Sequence, residues 1–173
     1  MKFLIVAIIS QTLLISTNIF GENKMEPVTN FILDKYLGEW FEIARLPASF
    51  EKNLINVTAT YSLMKNDKVK VENKGINNKT FKKNTAIGKA KFAKNQDVGH
   101  LKVSFFGPFY ADYIIIDLDS DYKYALVASS FKYLWILSRT PKLDKETMDK
   151  LIEKAKNIGF ETDNLFFTPQ DGI

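Results

Sequence analysis

The sequence predicts an all-β domain of eight antiparallel strands followed by one amphipathic helix. Three observations predict it. From Gly38 onward, short runs with strand character recur between turn signals at intervals that suit a sandwich or a barrel. The gaps between these runs are too short for the crossover helices that parallel strands require. A single later segment, Asp144 to Gly159, changes to helical spacing.

The runs place strands near 38–46, 55–64, 67–76, 84–93, 98–106, 111–118, 122–129 and 132–139. Between them, Asn66-Asp67, Asn95 to Gly99, Gly107-Pro108 and Ser120-Asp121 tolerate turn geometry. Alternation is clean in Leu101-Lys102-Val103-Ser104-Phe105, which puts Leu101, Val103 and Phe105 on one face. It is nearly lost in Ala111 to Ile116, as expected where one face of a strand meets the interior and the other meets a helix. In the helical segment, Met148, Leu151, Ile152, Ala155 and Ile158 form an apolar stripe. Asp144 suits its N-cap and Gly159 its left-handed C-cap. Leu165-Phe166-Phe167 is placed to return as a short ninth strand. Periodicity alone leaves sandwich and barrel both open, because either buries one face of every strand.

Residues 1–21 read as an export signal. Met1-Lys2 is followed by an apolar stretch from Phe3 to Ile9 and a second patch at Leu13-Leu14-Ile15, with Gly21 as the expected last residue removed. Polar residues from Ser10 to Asn18 interrupt the run short of the roughly 18 apolar residues that a spanning helix needs. Beyond the signal we expect an N-terminal extension at 22–32, a domain at 33–168 with its helix at about 144–158, and a tail at 169–173. Lys2 is the only charged residue of the signal, so its loss lowers the net charge from +4 to +3, too mild for nucleic-acid binding. The sequence has no Cys, which excludes disulfides, thiolate metal sites and lipid attachment to a cysteine. His100 is the sole histidine, and no phosphate-cradling Gly-rich loop is present. No metal, cofactor or catalytic set is therefore expected.

Two motifs decide between the architectures. Gly38-Glu39-Trp40-Phe41 resembles the Gly-x-Trp-aromatic signature that opens the first strand of lipocalins. Trp135-Ile136-Leu137-Ser138-Arg139-Thr140-Pro141 resembles that family's last-strand signature with its arginine. The stretches Val57 to Leu63 and Leu101 to Tyr110 look most like bacterial outer-membrane lipocalins and apolipoprotein D, and the similarity runs from about Leu33 to Phe167. Asp119-Ser120-Asp121-Tyr122 is a looser version of the family's Thr-Asp-Tyr bend. The resemblance implies an eight-stranded antiparallel up-and-down barrel with the helix packed outside. It also implies that Gly38, Trp40 and Arg139 close the barrel floor, the guanidinium lying across the indole. Outer-membrane members carry a lipidation cysteine after the signal. Its absence here favours a periplasmic or secreted protein, peripheral to the outer membrane at most.

A barrel of this size holds one small ligand. Residues sharing the parity of Trp40 and Arg139 should point inward, which makes Glu42, Ala44, Trp135 and Leu137 candidates on the first and last strands. On the intervening strands the candidates are Ala59, Tyr61, Val71, Leu101, Val103, Phe105 and Tyr113. Such an apolar lining favours a fatty acid, phospholipid or lysophospholipid, each buried CH₂ contributing about 0.8 kcal/mol. Glu42 stands out, as a polar floor contact or a headgroup partner. Around the mouth, Pro47 to Leu54 and Phe106 to Tyr110, with Phe50, Phe131 and Tyr133, form an aromatic rim that either gates entry or dips into a lipid surface. Lys52, Lys79, Lys82, Lys83 and Lys132 would attract anionic headgroups there. Two other readings stay open: a filled barrel acting by protein contact, and a lipocalin-type enzyme. Monomer and homodimer are equally compatible with the sequence.

Overall fold

The computed structural model describes residues 24–65 and 68–171. The expected signal at 1–21 lies outside the described residues.

A short helix, α1 (Leu33–Tyr36), leads into β1 (Gly38–Arg45). Then follow β2 (Leu54–Leu63), β3 (Val69–Asn77), β4 (Lys83–Phe92), β5 (His100–Ser104), β6 (Ala111–Leu118), β7 (Tyr124–Ser130) and β8 (Tyr133–Ser138). The chain ends in α2 (Lys145–Ile158) and a two-residue strand, β9 (Phe166–Phe167). Each strand from β2 to β7 pairs antiparallel with the next, and β1 pairs with both β8 and β2, so the sheet closes on itself. This is the eight-stranded up-and-down barrel, with β9 added along β1.

Strand alternation divides the apolar residues into two cores. The inner one gathers Trp40, Tyr61, Val71, Leu101, Ile115, Val127 and Leu137. The outer one joins Ile114, Ile116, Leu126, Leu134 and Ile136 to Leu151 and Ala155 of α2. The broken alternation of β6 is thereby accounted for: Tyr113 and Ile115 face the interior while Ile114 and Ile116 meet the helix. Helix α2 begins where the Asp144 carboxylate accepts the Thr147 N–H at 2.9 Å. It ends at Gly159, whose φ of +108° is the left-handed conformation a side chain resists. Lys154 adds an ion pair to Asp117 on β6 at 2.9 Å.

The first strand departs from simple alternation. Residues directly opposite one another on antiparallel strands share a face. Glu42 lies opposite Leu137, Ala44 opposite Ile136 and Arg45 opposite Trp135, with an irregularity between Glu42 and Ala44. One extra residue at Ile43 bulges the strand and reverses the facing beyond it. Ala44, expected to point inward, instead packs outside with the α2 core, and Arg45 takes the inward position.

The same bulge region is where the barrel is sealed. Strands β1 and β2 pair only from Gly38↔Tyr61 to Phe41↔Thr58 and then diverge toward the mouth. The C-terminal segment fills the gap. Phe167 and Phe166 pair with Ala44 and Arg45, and Thr168 N–H donates to the Ile43 carbonyl at 3.0 Å. On the other side, Asn56 N–H donates to the Pro169 carbonyl at 2.8 Å. The Gln170 amide bridges the two strands, donating to the carbonyls of Glu42 and Val57, both at 2.8 Å.

Candidate ligand-binding site

The closed end is built around Trp40, which is fully buried. Gly38, at φ +96°, turns the chain into β1, and a Cβ there would stand 3.3 Å from the Arg139 guanidinium. That guanidinium lies 3.9 Å from the centre of the Trp40 ring. It donates to the carbonyls of Glu39, Lys35 and Leu37 at 2.8 Å each, and to that of Tyr122 at 3.3 Å. Trp40 Nε1 donates to the Tyr36 carbonyl at 2.8 Å, tying β1 to α1. The bend from Asp119 is tight: its carboxylate accepts the N–H groups of Asp121 and Lys123 at 3.0 and 3.1 Å.

Above the tryptophan sits a cluster of three tyrosines. The Tyr113 hydroxyl lies 2.7 Å from that of Tyr36 and 2.7 Å from that of Tyr61. Burial, the largest cause, raises the pKa of all three phenols, so each keeps its proton. Three protons serve two hydrogen bonds. Tyr36 and Tyr61 are buried and Tyr113 is half-buried, and one of the three protons is left over after the two hydrogen bonds. Tyr61 and Tyr113 were candidates from their strands. Tyr36 was not, because it reaches the interior from a helix that the strand pattern does not contain.

Of the remaining candidates, Ala59, Val71, Leu101, Val103, Phe105, Trp135 and Leu137 all belong to the inner core. Val71, Leu101 and Leu137 are buried, whereas Ala59, Val103, Phe105 and Trp135 keep partial access to solvent although they face inward. These four are the inward-facing candidates that are half-buried and not closed off. Phe105 is seated over Gly88, where a Cβ would come within 2.8 Å of its ring.

Toward the mouth the wall carries a buried polar node. Arg45 is ion-paired with Glu42 and donates to Thr168 Oγ1 at 3.0 Å and to the carbonyls of Glu51 and Leu54 at 2.8 and 3.3 Å. Thr168 in turn donates to Glu42 at 2.5 Å. Glu51, in a 3₁₀ turn of the first mouth loop, accepts from Trp135 Nε1 at 3.2 Å and stands 3.8 Å from Arg45 Nε. Burial, reinforced by the neighbouring Glu42 charge, lifts the Glu51 pKa to about 7. Burial also raises that of Glu42, while Arg45 and Thr168 pull it down. Glu42 is thus buried against an arginine in the upper wall and is not a contact of the floor. Among the described residues, no three His, Cys, Asp or Glu side chains cluster to hold a metal, and no helix is long and apolar enough to cross a membrane.

A family model described as a lipocalin-like domain matches residues 31–170. The chain belongs to the lipocalin family. Among curated lipocalins it is similar to the outer membrane lipoprotein Blc of Vibrio cholerae, with 40% identity over 148 residues covering 84% of this chain and 86% of that one. Blc of Escherichia coli K12 is 40% identical over 146 residues, covering 84% and 82%. Mouse apolipoprotein D is 35% identical over 151 residues, covering 82% and 78%. Among solved lipocalin structures, insecticyanin from the tobacco hornworm superposes with a TM-score of 0.69 at 21% identity, covering 84% of each chain, which speaks to the fold alone.

Proposed function

We propose that this lipocalin binds a single-chain lipid, a fatty acid or lysophospholipid, in the barrel interior above the tyrosine floor and carries or stores it without chemical change. One observation carries the reading: Ala59, Val103, Phe105 and Trp135 belong to the inner apolar core of the barrel yet remain only partly buried. An acyl tail against this wall gains apolar burial at every CH₂, which favours hydrocarbon over a compact polar metabolite. The headgroup then lies at the mouth, near the lysine-bearing loops. The relatives named as outer membrane lipoproteins support a place in the bacterial envelope and a role in maintaining its lipids. Export with removal of residues 1–21 is part of the same proposal, and the mass of the mature protein tests it.

The binding test is a titration of delipidated protein with a long-chain fatty acid or a lysophospholipid, followed by tryptophan emission. Trp135 reports from the wall, and buried Trp40 supplies a constant background. The expected result is a saturable response that Phe105→Ala weakens. Absence of saturation at micromolar lipid overturns the proposal and leaves a barrel that acts by protein contact.

A further inference from the structure

The rim of the mouth is a surface that ligand binding leaves unexplained. In this topology the loops β1–β2, β3–β4, β5–β6 and β7–β8 all emerge at one end of the barrel. Every one of them exposes phenylalanine: Phe50 at 59%, Phe81 at 70%, Phe106 at 83%, Phe109 at 78% and Phe131 at 40%. A soluble monomer rarely gathers so much exposed apolar surface without a partner for it.

The charge on the same loops is of one sign. Lys52, Lys79, Lys82 and Lys132 lie within them, and Lys83 opens β4. Their single carboxylate, Glu51, is buried and hydrogen-bonded to Trp135. The loops at the opposite end mix signs, with Asp97, Asp119 and Asp121 beside Lys94 and Lys123. Aromatic side chains ringed by uncompensated lysines match a surface that is apolar beneath and anionic on top. A second copy of this chain does not match, because two such rims face to face repel.

We propose that the rim docks on an anionic lipid bilayer, the phenylalanines entering the interface and the lysines meeting headgroup phosphates, so that the mouth opens onto the membrane. This goes beyond the ligand reading and does not depend on it.

The test is co-sedimentation of the purified protein with vesicles of phosphatidylglycerol and phosphatidylethanolamine, against vesicles of phosphatidylcholine. Binding is expected to the anionic vesicles, and to weaken steeply when salt is raised to about 0.5 M. Phe106→Ser/Phe109→Ser should weaken it about tenfold or more, since both side chains are over three-quarters exposed and their loss leaves the core intact. Lys79→Gln/Lys82→Gln/Lys83→Gln should cost about fivefold per lysine at low salt. Circular dichroism establishes that each variant is folded. Failure of the parent to sediment, or sedimentation unchanged in the phenylalanine variant, overturns the proposal. So does a dimer in solution that Phe106→Ser/Phe109→Ser dissolves, which assigns the rim to a second copy. The lipid titration of the parent is a separate readout. A parent that titrates with lysolipid yet ignores vesicles overturns docking alone, and one that sediments without titrating overturns the ligand reading alone.

Discussion

Arg45 holds two buried carboxyls and the carbonyls of Glu51 and Leu54 in the upper wall, and its replacement by methionine keeps the stem while removing the charge. Its side chain is 4% exposed, as is that of Glu42, so water cannot take over the lost contacts. Breaking a buried ion pair from one side costs about 3–5 kcal/mol, chiefly because the other charge stays behind. For a domain of this size that lowers the melting temperature by about 6–20 °C. The loss depends on pH. Burial raises the pKa of both carboxyls and Arg45 pulls both down, so without the guanidinium their ionised forms are penalised more as pH rises, whereas at pH 5 Glu51, already pushed to about 7 in the parent, holds its proton. Urea denaturation of Arg45→Met should therefore show a larger deficit at pH 8 than at pH 5. Glu42→Gln/Arg45→Met should recover part of it at pH 8. Equal deficits at the two pH values, or a double variant no more stable than the single one, would refute the account of this node.

Trp40→Ala should cost about 3–5 kcal/mol in denaturant unfolding, the range for emptying a large aromatic site; an unchanged midpoint contradicts its place as the floor plug. Glu51 has a folded-state pKa raised from 4.5 to about 7, so its contribution to stability is full below about pH 4.5, falls as pH rises and is gone above about pH 7. The fall amounts to up to about 3 kcal/mol, and Glu51→Gln should flatten urea midpoints measured across that window. Gln170→Ala removes the amide that bridges Glu42 and Val57 and should cost about 1–3 kcal/mol, read by the same assay, with the far-UV spectrum unchanged.

What could be read from the chain depended on whether a feature is local. Helix α2 announces both its ends, in Asp144 and Gly159, because caps are chosen by residues a few positions apart. Trp40 and Arg139 are far apart but sit in recognisable motifs, and the guanidinium lies on the indole as expected. The inward faces of β2, β3, β5, β6 and β8 follow from alternation because those positions keep their register. Alternation fails at Ile43, where a bulge is a backbone event with no residue that demands it. Ala44 was therefore assigned to the wrong face, and Arg45 passed unnoticed. Thr168, Gln170 and Tyr36 were equally invisible. Each acquires its role from partners more than 70 residues away, 126 in the case of Thr168 and Glu42.

The seam between β1 and β2 imposes an order in time. A ribosome delivers Gly38–Arg45 early, yet the residues that flank this strand, Tyr133–Ser138 on one side and Phe166–Gln170 on the side toward β2, are made much later. Until they arrive, the nascent polypeptide has edges to offer but nothing to complete them, and no partial product of synthesis can be a closed cylinder. Folding is correspondingly slow, because the decisive pairings span nearly the whole length. A chain of this design stays unsealed until residues 166–170 have been made, and that segment acts as the clasp.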